Sequence, residues 1–282
     1  MFKRIYLEIT NVCNLRCSFC PGTRRKGHFM TVEEFSLLAS RLQGHAEYLY
    51  FHVMGEPLLH PQLPQLLQIA ADLGFKICLT TNGTLLEKQL DVLLGAKRLH
   101  KISVSLHSFE GNDCPGDLAD YVTSAARCCA ALAQNGVICA LRLWNEGGAQ
   151  AENERIMDLL SLALSTDVRA VSPDVRGNLK LGKRLYLESA AKFDWPDLSA
   201  PDCGVEFCLG LRQQAAVLCD GTVVPCCLDG DGQIPLGNLF TQTFDEIITS
   251  PRAQALIDGF SCRRPTEELC RRCGYATRFN KG

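Results

Sequence analysis

Apolar runs rich in β-branched and aromatic residues alternate, over the first two thirds of the chain, with stretches whose apolar residues recur at helical spacing. IYLEIT at 5–10 reads as a first strand. Thr31 and Glu34 are spaced as a capping box for a helix over 31–42. EYLYFHVM at 47–54 predicts a second strand, and a helix over 62–73 stops at Gly74. FKICLTT at 75–81 and HKISVSLHS at 100–108 predict strands three and four. A helix over 117–134 ends at Gly136, VICALRLW at 137–144 forms strand five, and a helix over 153–164 leads to a sixth strand at 184–188. Strand and helix alternating at this spacing predict a parallel sheet with right-handed crossovers, either open or curled into a partial barrel.

Several unusual segments then fall at or just beyond the C-terminal ends of these strands. They are a cysteine-bearing loop after the first, Gly55-Glu56-Pro57, Thr81-Asn82-Gly83, Leu106-His107-Ser108 and Leu143-Trp144. Parallel α/β folds place their sites at that end of the sheet. The shared placement favours an α/β fold with a partial (β/α)6 barrel and a site at one mouth.

Beyond Leu187 the composition shifts. FDWPDLSAPDCG at 193–204 reads as a linker, and half of the 16 cysteines lie from Cys203 onward, in a Gly-rich region without helical periodicity until 244–256. The expectation is two units, 1–195 and 196–282, the second small and built around metal. The 282 residues suffice for a large domain plus a small one, and 46% hydrophobic residues suffice for a sizeable core.

Charge and targeting narrow the classes. A net charge of −2 speaks against a nucleic-acid or membrane-surface binder, which shows a basic stripe. The compact basic run Arg24, Arg25 and Lys26 reads as a solvated loop rather than a phosphate site. No apolar run approaches the roughly 18 residues that span a bilayer. The opening MFKRIYLEIT lacks a signal peptide's apolar core and cleavage site. A cytoplasmic location is expected, where thiols stay reduced. Cysteines in such number then call for metal, catalysis or burial, not a disulfide framework.

ITNVCNLRCSFCPGT at 9–23 carries Cys13, Cys17 and Cys20 as C-x3-C-x2-C. A cubane [4Fe–4S] cluster has four iron corners, each normally capped by a thiolate. Three cysteines on one loop hold three corners and leave the fourth iron open to a substrate or cofactor. Openness of this kind separates catalytic metal sites from closed structural ones. A zinc site recruiting His28, or buried unligated cysteines, are the alternatives. Neither explains the placement at a strand end or Glu56.

This triplet, with Phe19 just before its last cysteine, resembles the radical S-adenosylmethionine (radical SAM) superfamily, and the order of elements extends the resemblance from about Tyr6 to Glu188. The resemblance implies that the open iron chelates the amino and carboxylate groups of S-adenosylmethionine. It implies reductive cleavage of the sulfonium to a 5′-deoxyadenosyl radical, which takes a hydrogen atom from the substrate. Gly55-Glu56 is similar to the family's GE motif, whose carboxylate accepts from the methionine ammonium. Ser105 is similar to the polar position that meets the ribose or the carboxylate. Arg142 is similar to a guanidinium that grips the methionine carboxylate, with a core-edge ion pair as the alternative. Asn82 joins the cofactor contacts or merely caps its Asn-Gly turn. His52, His107 and Trp144 are candidate substrate contacts or ordinary rim residues.

In the last third, Asp220-Gly221 between β-rich runs reads as a hairpin turn. Cys270 and Cys273 form C-x2-C, and with Cys208 and Cys226 they make four thiolates, enough to close a metal site. Zinc suits such a set. Its position after a radical SAM-like region resembles instead the SPASM/Twitch extensions that hold auxiliary [4Fe–4S] clusters. The pattern implies one auxiliary cluster, since the chain ends soon after Cys273. Adjacent Cys226 and Cys227 are not ranked by sequence. Cys219 reads as structural, and Cys262 as a passive thiol or a hydrogen-atom donor.

The implied activity is hydrogen-atom abstraction by a radical SAM enzyme served by a flavodoxin- or ferredoxin-type electron donor. Because the chain opens at its first strand, a small molecule is expected as substrate: an aminocyclitol, a sugar or a modified nucleobase. Dehydrogenation, epimerisation and lyase chemistry, including queuine-type base salvage, lie within the resemblance. Maturation of a ribosomal peptide is the rival among enzymes, and a non-catalytic zinc or iron–sulfur scaffold is the rival outside them.

Overall fold

The computed structural model describes residues 1–112 and 116–280. Five parallel strands run in chain order across the sheet: β1 (Phe2–Leu7), β2 (Ala46–Tyr50), β3 (Lys76–Thr81), β4 (Leu99–Ser105) and β5 (Ile138–Glu146). Each is followed by a helix: α1 (Val32–Leu42), α2 (Leu63–Asp72), α3 (Leu90–Gly95), α4 (Leu118–Gln134) and α5 (Asn153–Leu164). The antiparallel β6 (Leu179–Gly182) forms one edge, and β7 (Leu185–Ala191) is the sixth parallel strand, paired with β5. The chain passes from β7 into the linker, so the sixth strand is not followed by a helix.

The sheet does not stop at the linker. β8 (Gln214–Val217) lies parallel to β1, with Arg4 opposite Gln214 and Leu7 opposite Val217. β9 (Thr222–Val224) and β10 (Gly237–Asn238) continue it antiparallel, giving the ten-stranded order β10-β9-β8-β1-β2-β3-β4-β5-β7-β6. Three short helices, α6 (Phe244–Ile248), α7 (Pro251–Ser261) and α8 (Glu268–Arg271), cover the cysteine-rich end. The first strand of the cysteine-rich segment is hydrogen-bonded into the barrel's sheet.

Strand alternation explains where the core sits. Successive side chains of a strand face opposite ways. On β1, Ile5 and Leu7 are fully buried in the large apolar cluster between sheet and helices, while Arg4 and Tyr6 line a cavity on the other face. The same split recurs on β4, where Ile102 and Val104 face the helices and Lys101 and Ser105 the cavity. The inside of the partial barrel therefore carries charged side chains among aromatic ones, and its main apolar core lies outside the sheet.

The capping box at Thr31 is present in both directions: the Thr31 hydroxyl accepts from the Glu34 amide, and the Glu34 carboxylate from the Thr31 amide. The second strand ends at Tyr50, short of the expected 54, and farther along the Met54 amide turns to the Glu8 side chain on the loop after β1. The fourth ends at Ser105, where a 3-10 turn takes over Leu106–Ser108. α3 and β6, six and four residues long, carry too little periodicity to be read from sequence.

The expected hairpin is formed. The Leu218 amide donates to the Thr222 carbonyl and the Gly221 amide to the Leu218 carbonyl. Gly221 has φ +81°, and a Cβ there would stand 2.4 Å from Phe240 Cδ2 and 2.8 Å from Asn238 Oδ1. Gly221→Ala should cost about 1–2 kcal/mol in backbone strain and a comparable amount in clash. A fall in melting temperature of about 5–10 °C, read by calorimetry, is the expected result.

Candidate active site

A fully buried carboxylate organises the mouth. Glu8 Oε1 accepts from Arg25 Nη2 at 2.7 Å and from the Met54 amide at 3.0 Å, and Oε2 accepts from the Cys219 amide at 3.0 Å. Arg25 also donates from Nε to the Gly230 carbonyl at 2.8 Å and from Nη1 to Cys219 Sγ at 3.4 Å. The run expected to be a solvated loop thus contributes a half-buried cation, and its neighbours Arg24 and Lys26 stay in solvent. Nothing local in the sequence marks the pair, because its partners are 17 to 211 residues apart.

The triplet loop is held open over a cavity of about 230 Å³ at the C-terminal ends of the strands. Cys13, Cys17 and Cys20 line it together with Gly55, Glu56, Asn82 and Ser105. Each sulfur has an N–H directed at it. The Leu15 amide donates to Cys13 and the Gly22 amide to Cys20, each at 3.5 Å, and Asn112 Nδ2 donates to Cys17 at 3.0 Å. Asn112, unmarked in the sequence, also receives the Arg16 amide on Oδ1 at 2.8 Å, so it braces the loop from the turn after β4. Burial holds the Cys13 and Cys17 thiols neutral, Cys17 being pushed up to about 11. Three thiols lining one cavity, each with an N–H aimed at its sulfur, fit an iron core, whose charge ionises them and whose thiolates accept such bonds. His28, the fourth ligand of the zinc alternative, is hydrogen-bonded to Glu34 at 2.9 Å and lies off this cavity.

Gly55 is required by close approach. It has φ +74°, and a Cβ would meet the Thr10 carbonyl oxygen at 2.5 Å and the Asn11 backbone at 2.9 Å. Glu56 is buried; Oε1 accepts from the Leu58 amide at 2.9 Å and Oε2 from the Asn82 amide at 2.7 Å. Burial raises its carboxyl to about 7 despite these donors. Asn82 caps its turn through the Thr84 amide and also extends Nδ2 to Asn14 Oδ1 at 2.9 Å and toward Cys13 Sγ at 3.8 Å.

Arg142 is not brought into this group. It lines a neighbouring cavity of about 430 Å³, where Nε donates to Glu188 Oε2 at 3.2 Å and the guanidinium lies 4.4 Å from the Trp144 ring centre. The ion-pair alternative describes its contacts. His52, His107 and Trp144 line the same larger cavity, and Phe19 packs on His107 at 4.8 Å where the two cavities meet. His52 Nδ1 is buried with no hydrogen-bond partner among the described residues.

At the opposite end of the larger cavity, Cys208, Cys226, Cys270 and Cys273 line one small apolar chamber with Phe260 and Leu269. Burial, then the neighbouring thiols, raises Cys226, and burial raises Cys270 and pushes Cys273 up to about 11. The chemistry of this donor set suits a metal core that supplies the missing positive charge. Cys227 faces the larger cavity instead, beside Tyr6. Cys219 is buried against Arg25, and exposed Cys262 stands at the end of α7, away from all three cavities. Among the described residues no three Cys, His, Asp or Glu side chains converge tightly enough for a single metal ion. A cubane spreads its ligands further, since four irons and four sulfides lie between them.

Glu8→Gln should leave the Arg25 charge half-buried without its partner, at a cost of about 3–5 kcal/mol. Denaturant unfolding reads the loss, and the purified variant should also retain less iron, because the loop after Cys20 loses its anchor.

Comparison with known proteins agrees with this geometry. The Radical SAM superfamily profile matches residues 7–127, and the SPASM iron–sulfur cluster-binding domain profile matches 208–274. A GTP 3′,8-cyclase of Chlorobaculum tepidum is 37% identical over 110 residues, 38% of this chain and 33% of the relative. A tungsten-containing aldehyde ferredoxin oxidoreductase cofactor-modifying protein of Pyrococcus furiosus is 31% identical over 121 residues, 40% of this chain and 32% of the relative. The matched stretch thus spans about a third of the length of these curated relatives. The crystal structure of BtrN in complex with AdoMet and 2-DOIA superposes with a TM-score of 0.62 at 18% identity, covering 97% of this chain and 93% of that one. Streptococcus suis SuiB bound to S-adenosylmethionine gives 0.61 at 16% identity, covering 97% and 72%. At these identities the two structures speak for the fold. The cofactors of the two matched domains are a [4Fe–4S] cluster with S-adenosylmethionine and auxiliary iron–sulfur. By its barrel, its triplet and both profiles, the chain belongs to the radical SAM superfamily and carries a C-terminal SPASM domain.

Proposed function

We propose that this radical SAM enzyme abstracts a hydrogen atom from a small molecule bound in the cavity of about 430 Å³ between its two cysteine sets. The observation that carries the reading is the cavity's position. It shares His52 and Ser105 with the triplet cavity, and Gln214 and Tyr275 with the chamber of the second set. A molecule held there is within reach of both. Its volume suits a small ligand. SuiB has also been crystallised bound to a precursor peptide, SuiA, which keeps a peptide substrate as the second reading.

In this reading, residues 1–195 form the catalytic barrel and 196–282 the auxiliary domain. Cys13, Cys17 and Cys20 hold the first cluster, and Cys208, Cys226, Cys270 and Cys273 hold one auxiliary cluster. The cluster and S-adenosylmethionine, once reduced by a flavodoxin- or ferredoxin-type donor, supply the 5′-deoxyadenosyl radical. Gly55 lets the loop after β2 approach the triplet, so that Glu56 can accept from the methionine ammonium. Asn82 and Ser105 complete the cofactor's surroundings, while Arg142 serves the substrate side. The second set, fully ligated, relays an electron to or from the substrate. No described helix is long and apolar enough to cross a membrane, and a reducing cytoplasm suits the thiols.

Anaerobic reconstitution tests the scheme. Wild type should hold about eight irons and the Cys13/Cys17/Cys20→Ala variant about four. Reduced wild type should convert S-adenosylmethionine to 5′-deoxyadenosine, and the variant should not. Iron uptake without cleavage would instead indicate a non-catalytic iron–sulfur scaffold. Glu56→Gln, which keeps the side chain's size but can accept from only one of the two buried amides, should weaken S-adenosylmethionine binding about tenfold or more by calorimetry. An unchanged affinity removes Glu56 from the cofactor contacts.

A further inference from the structure

The larger cavity is charged in one sense. Arg4, Lys101, Arg142 and Lys192 line it against a single carboxylate, Glu188. Four cations against one anion leave a surplus of three positive charges, in a chain whose net charge is −2. Glu188 is already shared: Oε1 accepts from Lys101 Nζ at 2.8 Å and Oε2 from Arg142 Nε at 3.2 Å. Burial lifts its carboxyl, but the two cations outweigh that and hold it below the ordinary carboxylate range. Arg4 stands beside Tyr6 and Tyr50, and its Nε is buried with no hydrogen-bond partner among the described residues. His52 Nδ1, on the same cavity, is in the same condition. Partly desolvated cations and orphaned donors are costly unless something neutralises them.

The cations are also placed by depth. Arg4 is in register with Tyr48 and Gln214, and Lys101 with Cys78 and Ile138, low in the sheet. Ser105, shared with the triplet cavity, lies four residues further along β4, about 13 Å toward the mouth. The charge of Arg4 therefore lies at the floor of the barrel, while the Lys101 ammonium reaches up to Glu188, which is in register with Arg142. Arg142, stacked on Trp144, stands opposite Ser105 on the neighbouring strand, at the same depth.

We propose that the substrate is a small organic anion. Its carboxylate or phosphate docks among Arg4, Lys101 and Arg142, the cations that line the cavity, and its reacting carbon points to the triplet. This rests on reading the cavity as the substrate site, and it sets aside an amine-bearing aminocyclitol, which the same charges would repel. An arginine fork grips either oxyanion in two-pronged fashion. The orphaned Arg4 Nε faces this cavity, where such an anion would offset its burial.

The test is isothermal titration of the anaerobically reconstituted enzyme, saturated with S-adenosylmethionine. The probes are ribose 5-phosphate and gluconate, with ribose as the neutral control and glucosamine as the cationic one. At least one anion should bind tenfold or more tightly than ribose, and the arm that does so tells phosphate from carboxylate. Arg4→Gln and Lys101→Gln should each weaken that anion about tenfold without changing the affinity for S-adenosylmethionine. Glu188→Gln should tighten it threefold or more, a gain that misfolding does not imitate. No anion binding at millimolar concentration, equal binding of ribose, tighter binding of glucosamine, or a Glu188→Gln variant without effect overturns the proposal. Cleavage of S-adenosylmethionine is measured on the same preparation. Cleavage without anion preference defeats this inference alone, whereas absence of cleavage defeats the enzymatic reading beneath it.

Discussion

The Glu8–Arg25 pair is the interaction on which the mouth of the barrel depends. A carboxylate with no solvent exposure is stable only if its lone pairs are met by a cation and donors. Glu8 meets that requirement with groups from three other segments: Arg25 beyond the triplet, the Met54 amide beyond β2, and the Cys219 amide on the hairpin of the SPASM region. The hydrogen bonds that satisfy one charge therefore set the return path of the triplet loop, tie down the chain beyond the second strand, and dock the second cysteine-bearing region onto the first. The parallel pairing of β8 with β1 does the same work along the sheet.

A second constraint is the inversion of the usual barrel interior. In a closed eight-stranded barrel the inward side chains are bulky and apolar and fill the centre. Here the inward positions of β1, β4, β5 and β7 include Arg4, Lys101, Arg142 and Glu188, and the sheet stays open. The apolar demand of folding is met on the outer face, where Ile5, Leu7, Ile102 and Val104 pack under the helices. This division frees the interior to be a cavity, lined by charged and aromatic side chains, that reaches from the triplet to the second cysteine set. It also makes the cavity's charge a consequence of strand register, since a one-residue slip would turn each cation outward.

What the sequence determined by itself was local. The triplet, the Gly55-Glu56 step, the Thr31–Glu34 capping box, the Asp220-Gly221 turn and the C-x2-C pair are each confined to a few residues, and their chemistry depends on spacing that survives without a fold. The alternation of strands and helices likewise followed from short-range periodicity. The tertiary structure alone decided which distant groups meet. Glu8 and Asn112 gave no local signal, because their partners lie as far as 211 and 96 residues away. For Arg142 the sequence leaves both a cofactor contact and a core-edge ion pair open, and its register on β5 puts it across from Glu188 and in the larger cavity. Cys226 and Cys227 are equivalent in sequence, yet face different cavities because neighbouring side chains leave the backbone in different directions. Short-range spacing is written in the chain; burial, charge pairing and depth exist only once the sheet has assembled.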